Sequence, residues 1–277
     1  MLYNDKKTRG IFYMIRADDR QKFILRAAEE NGFASIRECA EQLDVSIETV
    51  RRDISCLCDK HQLKKTRGGA VPTRIPMRRD SNYNTRIHQN LQEKHSVGMA
   101  AASMVRDGLV VGLDCGVSIQ AVARCMTGLR DLTLVTNSLP TASILTEKCA
   151  SGEIGGRVIL IGGELDVRNH FSRGASATDE LDKYYFDMSF ISCTAISADS
   201  VSSYNADECA YSAHLLQRSA RAILIADSNK VGKKSVKCFA APKDFDAVIL
   251  NNRTSIPDDL ADQLRDSKTE LIIVDSE

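Results

Sequence analysis

The ten residues Val45 to Ile54, VSIETVRRDI, followed by LKKTRGGAV at Leu63 to Val71, constrain this chain more than any other stretch. In a helix turning about 100° per residue, Val50, Ile54 and Leu57 share one face at spacings i, i+4 and i+7. That face must be buried. Glu48, Arg51, Arg52 and Ser55 then fall on the opposite side. Ser46 precedes the helix and can accept a free backbone N–H as an N-cap. Upstream, Ile36, Cys39, Ala40 and Leu43 mark a short amphipathic helix, with Ser35 and Glu38 as a capping box at its start. Asp44 and Val45 leave room only for a tight turn. Asp18 to Asn31 reads as a first helix, with Ile24, Ala27 and Ala28 inward and Gly32 ending it. Three helices, the last two joined by a tight turn, make a small head. A capped helix with paired arginines facing outward suits docking in the major groove of DNA. An ordinary helical hairpin with solvated arginines is the alternative.

Charge separates the two. The chain holds 37 basic and 37 acidic residues, but residues 1–90 hold 18 and 12. Arg51 to Arg79 is sharper still, with nine basic residues against Asp53 and Asp59. A basic head on an acidic body suits a protein that brings one end to a polyanion. Lys64, Lys65 and Arg67 fall in the turn-and-strand text that reads as a wing. They are expected on phosphates, supplying affinity and register more than sequence choice. The DNA-binding set is therefore Ser35, Ser46, Glu48, Thr49, Arg51, Arg52, Ser55, Lys64, Lys65 and Arg67, around a helix-turn-helix from Ala34 to Asp53.

The 277 residues suit two domains. We expect an extension at 1–16, a winged helix-turn-helix at 17–72, a basic, proline-bearing linker at 73–88 and an α/β body at 89–277. No window approaches the 18 consecutive apolar residues that argue for a membrane helix, and Lys6, Lys7, Arg9 and Arg16 interrupt any N-terminal signal core. No membrane association is expected. The nine cysteines show no C-x-x-C and no paired Cys/His set, which points to reduced thiols in the cytoplasm. No metal and no cofactor are expected.

In the body, apolar β-rich runs alternate with helical text. Strands are expected at Leu109–Leu113, Leu132–Thr136, Val158–Ile161, Met188–Ser192, Ala222–Ala226, Ala247–Leu250 and Leu271–Val274. Helices are expected at Gln92–Arg106, Ile119–Met126, Leu139–Lys148, Ala177–Tyr184, Glu208–Arg218 and Asp258–Leu264. The pattern implies a mostly parallel sheet with helices on both faces. Ligands of such sheets bind beyond the carboxyl ends of the strands. Those ends read Asp114-Cys115-Gly116-Val117-Ser118, Thr136-Asn137-Ser138, Gly162-Gly163-Glu164 and Asp227-Ser228-Asn229-Lys230. Small and hydroxyl residues before helix N-termini, with one lysine, fit a phosphate-bearing metabolite. Turn chemistry alone also uses these residue types.

At these positions the chain resembles the DeoR family of bacterial sugar-responsive transcriptional regulators, across nearly its whole length. The resemblance rests in the head on Val45, Ser46, Thr49, Val50, Arg51, Arg52, Asp53, Ile54, Gly68, Gly69 and Ala70. In the body it rests on Asp114, Gly116, Val117 and Ser118, on Thr136, Asn137 and Ser138, on Gly162 and Gly163, and on Asp227, Asn229, Lys230, Val231 and Gly232. It implies a sensor domain similar to ribose-phosphate isomerases, a phosphorylated sugar or sugar alcohol as effector, and repression from operator DNA as a homo-oligomer, dimer or tetramer. The effector set is then Asp114, Gly116, Ser118, Thr136, Asn137, Ser138, Gly162, Gly163, Glu208, Asp227 and Lys230. Val117 stands where the family has a threonine, Asn229 where it has serine, Val231 where it has phenylalanine and Ser200 where it often has a turn glycine, so the DNA-reading match is the better one.

Two other roles compete with an effector-released repressor of a carbohydrate-utilisation operon. One is an isomerase-like enzyme using a carboxylate among Asp114, Glu164, Glu208 and Asp227 as base. The other is a constitutive DNA binder that Val117 has made deaf to ligand. A gene-regulatory head favours sensing over catalysis, and no catalytic residue is assigned. Cys115, between Asp114 and Gly116, reads as a small apolar filler rather than an acidified thiol. His170 reads as a loop histidine.

Overall fold

The structure, a computed structural model, describes residues 16–31, 33–66, 68–73, 83–251 and 256–275. Residues 1–15, Gly32, Arg67 and most of the expected linker lie outside that set.

The head comprises α1 (Ala17–Asn31), β1 (Ala34–Ser35), α2 (Ile36–Leu43), α3 (Ile47–Asp59), β2 (Leu63–Thr66) and β3 (Gly69–Pro72). Ile24, Ala28, Leu43, Val50, Ile54 and Leu57 are buried together, so the helical spacing gives the core face. Ser35 Oγ accepts the Glu38 N–H at 3.3 Å, and Ser46 Oγ accepts the Thr49 N–H at 3.2 Å. Asp44, at φ 49°, makes the left-handed turn between α2 and α3. The wing strands pair antiparallel in the order β1-β3-β2. At Gly69 a Cβ would lie 2.1 Å from the Ala34 carbonyl oxygen, so only glycine lets β3 approach β1. Asp53 faces inward: its carboxylate takes Arg20 Nε at 2.7 Å and bolts α3 to α1.

The body opens with α4 (Tyr83–Arg86) and α5 (Leu91–Ala102), then β4 (Val110–Leu113), α6 (Val117–Cys125), β5 (Leu132–Thr136), α7 (Leu139–Ala150) and β6 (Gly156–Leu160). A hairpin follows, β7 (Glu164–Asp166) and β8 (Phe171–Arg173), then α8 (Ala175–Leu181) and β9 (Met188–Ser192). Next come β10 (Ala195–Ser197), β11 (Ser200–Ser203), α9 (Ala206–Gln217), β12 (Ala222–Ala226), β13 (Lys237–Ala240), β14 (Ala247–Asn251), α10 (Asp258–Asp266) and β15 (Glu270–Val274). Seven strands form one sheet in the order β15-β14-β12-β9-β4-β5-β6. Every pair in it is parallel. Side chains alternate across it: Leu224 joins the cluster on one face, and Ile223 and Ile225 join the cluster on the other. Burial on both faces is why these strands read as continuous apolar runs.

The expected helix Gln92–Arg106 stops at Ala102. Ser103 Oγ donates back to the Ala100 carbonyl at 2.7 Å, and Arg106 donates to the Val105 carbonyl at 2.9 Å. Side chains that take backbone carbonyls compete with the helix ladder. The hairpin β7-β8 and the antiparallel sheet β10-β11-β13 stand beside the main sheet and are not among the expected strands.

Candidate functional site

On α3 the outward face is open. The Arg51 and Arg52 side chains are 62% and 82% exposed, with Glu48 at 3.7 and 4.0 Å. Exposed ion pairs of this kind contribute little, so nucleic acid can take the arginines from Glu48 at small cost. Ser46 and Thr49 share a hydrogen bond between hydroxyls at 2.8 Å, and Ser55 Oγ donates to the Arg51 carbonyl. Those hydroxyls shape the helix first. Ser35 caps α2, one helix away from the arginine face. Lys64 and Lys65 are exposed on β2. The adjoining Thr66 Oγ1 donates to Asp258 of the body at 3.0 Å, and a cleft of about 330 Å³ separates the wing from Asp258 and Asp259.

The chain order of the sheet reverses between β4 and β9: β5 and β6 extend one way, and β12, β14 and β15 the other. The loops after β4 and β9 therefore part, leaving a crevice at the carboxyl edge. Gly116, Val117 and Ser118 enter it from β4, Ser192, Cys193 and Thr194 from β9, and Asp227 and Lys230 from β12. Glu208 of α9 and Lys94 of α5 close it behind, and Arg86, Gln89 and Asn90 cover it. Gly116 has φ 112°, and a Cβ there would meet Ser192 Oγ at 2.8 Å. No side chain caps α6, so its first-turn N–H groups stay available to an anion. Lys230 Nζ donates to Ser118 Oγ at 3.3 Å and lies 3.8 Å from Asp227. The crevice thus combines a helix N-terminus, three cations and two carboxylates, the mixture that recognises an anionic, hydroxyl-rich small molecule.

Five residues expected at the effector, Gly116, Ser118, Glu208, Asp227 and Lys230, line this cavity. The other six lie beside or below it. Asp114 is fully buried; its oxygens accept from the Cys115 N–H, the Ser192 N–H and Ser212 Oγ. Burial pushes its carboxyl up to about 6, against those three hydrogen bonds. Thr136 Oγ1 accepts from the Ser138 N–H at 3.1 Å, Ser138 caps α7, and Asn137 Nδ2 donates to the Ser172 carbonyl at 2.9 Å. Gly162 and Gly163 make the turn into β7. Glu164 is exposed and bridged to Arg173. Cys115 is buried, and burial followed by the Glu208 and Asp114 charges drives its thiol well above the ordinary range. His170 packs its ring against Tyr83 at 4.8 Å, outside the cavity.

Sequence reasoning missed Arg86, Gln89, Asn90, Lys94, Ser192 and Thr194. The strand-end rule applies equally to Ser192-Cys193-Thr194. Arg86 stands in basic text whose composition reads only as linker, and nothing local marks Arg86 or Lys94. Among the described residues no helix is long and apolar enough to cross a membrane, and no group of three His, Cys, Asp or Glu converges on a metal position.

Comparison with known proteins bears on both halves. Residues 20–74 match the family described as DeoR-like helix-turn-helix domain, and residues 89–252 match DeoR C terminal sensor domain. The chain is 28% identical to the HTH-type transcriptional repressor GlcR of Bacillus subtilis, over 84% of this chain and 88% of that protein. It is 30% identical to the lactose phosphotransferase system repressor of Staphylococcus aureus, over 84% and 91%. It is 24% identical to the glycerol-3-phosphate regulon repressor of Haemophilus influenzae, over 92% and 96%. Among solved structures, ribose 5 phosphate isomerase A from Neisseria gonorrhoeae aligns at TM-score 0.36 and 12% identity, over 52% of this chain and 53% of that one.

Proposed function

The chain belongs to the DeoR family of transcriptional regulators, and from that premise we propose that it is a sequence-specific repressor of a carbohydrate operon, released from its operator by a phosphorylated sugar or sugar alcohol. The observation that carries this reading is the pairing of an open arginine face on α3 with a strand-end cavity holding Lys230 beside the N-terminus of α6. Arg51 and Arg52 read base edges. Lys64 and Lys65 hold phosphates. The effector places its phosphate at Lys230, Ser118 and the α6 N–H groups, and its hydroxyls toward Glu208 and Asp227. The protein senses rather than turns over its ligand, a role that its DNA-binding head favours: of the four candidate bases, Asp114 is spent on three structural hydrogen bonds and Glu164 is outside the cavity, and Glu208 and Asp227 serve as hydroxyl partners. It acts in the cytoplasm as a homo-oligomer that matches paired half-sites.

The test is fluorescence anisotropy with DNA from upstream of its own gene and of neighbouring carbohydrate genes, with and without glycerol 3-phosphate, glucose 6-phosphate and fructose 1-phosphate. Specific binding should exceed binding to scrambled DNA by at least about a thousandfold, and one phosphomonoester should weaken it. Binding that never exceeds the scrambled control would overturn the DNA reading. Operator binding indifferent to every phosphomonoester, with no melting shift, would overturn the effector reading.

A further inference from the structure

The segment that leaves the DNA-binding head crosses the mouth of the effector cavity. The last described residue of the wing is Thr73, and the chain is described again from Tyr83. From there to Asn90 it lies as a strap across the space between α5, α6 and the β7-β8 turn. Four ties hold it. The Tyr83 hydroxyl exchanges hydrogen bonds with the Gln120 amide of α6 at 3.0 and 3.3 Å. The Tyr83 ring packs edge-on against His170. An Arg86 guanidinium nitrogen donates to Asn169 Oδ1 at 2.7 Å. Lys94, 6% exposed, donates from Nζ to the Arg86 carbonyl at 2.6 Å and to the Gln89 carbonyl.

Under this strap the cavity measures only about 30 Å³, room for a water or two. Even glycerol 3-phosphate needs several times that. On the strap's other side lies a second cleft, of about 290 Å³, walled by Tyr83, Ile87, Leu91 and Gln120. Lys94 and Val117 line both spaces. The strap therefore lies between two neighbouring spaces, and the one beside Lys230 is too small for a phosphomonoester while the strap stays in place.

We propose that residues 83–90 form a strap whose closed position and effector occupancy exclude each other, so that the ligand acts on the DNA-binding head by displacing the chain segment that leads to it. The proposal rests on the reading of the strand-end cavity as the effector site. It assigns Lys94 and Asn169 as positioning residues that hold the strap closed. A ligand that binds only the open form must do work against these ties, and loosening them must raise its apparent affinity. This is opposite in sign to a lid that closes over its ligand.

The experiment uses the full chain in four forms: parent, Asn169→Ala, Tyr83→Phe and Lys230→Gln. Asn169 and Tyr83 lie outside the cavity that holds Lys230. Each form is titrated with glycerol 3-phosphate, glucose 6-phosphate and inorganic phosphate, following melting temperature. The probe concentration giving a fixed shift should fall roughly fivefold in Asn169→Ala and in Tyr83→Phe, the worth of one hydrogen bond, and should rise at least about tenfold in Lys230→Gln. An unchanged or raised concentration for that shift in both folded strap variants, with Lys230→Gln weakened, overturns the strap and spares the site. If no probe shifts the parent, the site reading fails instead. The strap is then judged on amide exchange over residues 86–94, which must quicken severalfold in Asn169→Ala; unchanged exchange overturns it.

Discussion

At the scale of single residues, two side chains on α3 separate DNA reading from mere exposure. The Arg51 and Arg52 side chains are 62% and 82% exposed, so truncating them should leave the fold intact. Arg51→Ala and Arg52→Ala should each cost about 1–3 kcal/mol of discrimination at the base they contact. Anisotropy on operator and scrambled DNA checks this; loss on both equally would mean phosphate contact instead. A second prediction concerns Asp114. Its carboxyl is pushed up to about 6 in the folded chain, above the unfolded value near 3.8. Stability from this group is thus fully present below the unfolded value and is lost as pH rises through 6. Between pH 5 and 7.5 the loss is on the order of 1 kcal/mol. The stability difference between parent and Asp114→Asn, from urea melts, should shift by that amount over this range in favour of the variant as pH rises. Residue roles were only partly legible in the sequence. That Lys230, Ser118 and Glu208 line one cavity is legible from polar groups at strand ends and helix starts. Asp53 is not, because its partner Arg20 lies 33 positions away and a charged residue beside two arginines reads as solvent-facing. Thr136, Asn137 and Ser138 lie off the cavity lining, with Ser138 capping α7 and the Asn137 amide nitrogen holding β8.

At the scale of elements, the head depends on one buried bond between two helices. Arg20 and Asp53 have side chains 14% and 6% exposed, and Gln21 adds a longer contact to the same carboxylate. Asp53→Ala leaves the guanidinium buried without its bidentate acceptor, which should cost the head about 3 kcal/mol. The check is thermal melting together with DNA binding at low temperature: binding should recover where the head is still folded. Permanent loss in a folded head would instead make Asp53 a DNA contact. The elements themselves divide by how their residues are buried. The strands Leu132–Thr136, Met188–Ser192 and Ala222–Ala226 are readable to the residue, because strands buried on both faces are dominated by apolar, β-rich residues, interrupted here only by Thr133 and Ser189 and ended by Thr136 and Ser192. The strands Ala195–Ser197 and Ser200–Ser203 are not, because four of their seven residues are serine and no alternation of polarity survives. Their partner β13 lies more than thirty residues on, across a helix and a central strand. The hairpin β7-β8 is hidden for a similar reason: its exposed Glu164 and Leu165 look like loop.

At the scale of the whole molecule, the question is how a small anion in the body reaches a helix in the head. The cavity has two walls that lead there. One is the strap. The other is the turn Ser228–Lys230, which packs against α1, the helix that Arg20 bolts to α3. Lys230 thus stands at the cavity end of a contiguous path, with Nζ bonded to Ser118 on α6 and set beside Asp227. Contiguity alone does not establish coupling. A ligand shifts operator affinity only by the difference in its own affinity for the bound and released states. Lys230→Gln keeps a polar side chain, one bond shorter than lysine's, and removes the charge that faces the effector's phosphate. Operator affinity without ligand, measured well below the melting temperature, should stay within about twofold of the parent, although the body loses stability because the charge removed is 11% exposed beside the 3% exposed Asp227. The phosphomonoester that releases the parent should release the variant only at concentrations at least about tenfold higher, the loss expected when a charge-assisted hydrogen bond of about 1.5–3 kcal/mol is removed. Paired anisotropy titrations, operator against protein and then ligand against the complex, measure both quantities. A variant released at the parent's ligand concentration would place the phosphate elsewhere in the body. A variant that no longer binds operator at all, while melting like the parent, would make the Ser228–Lys230 turn part of the head's own scaffold rather than the sensor's.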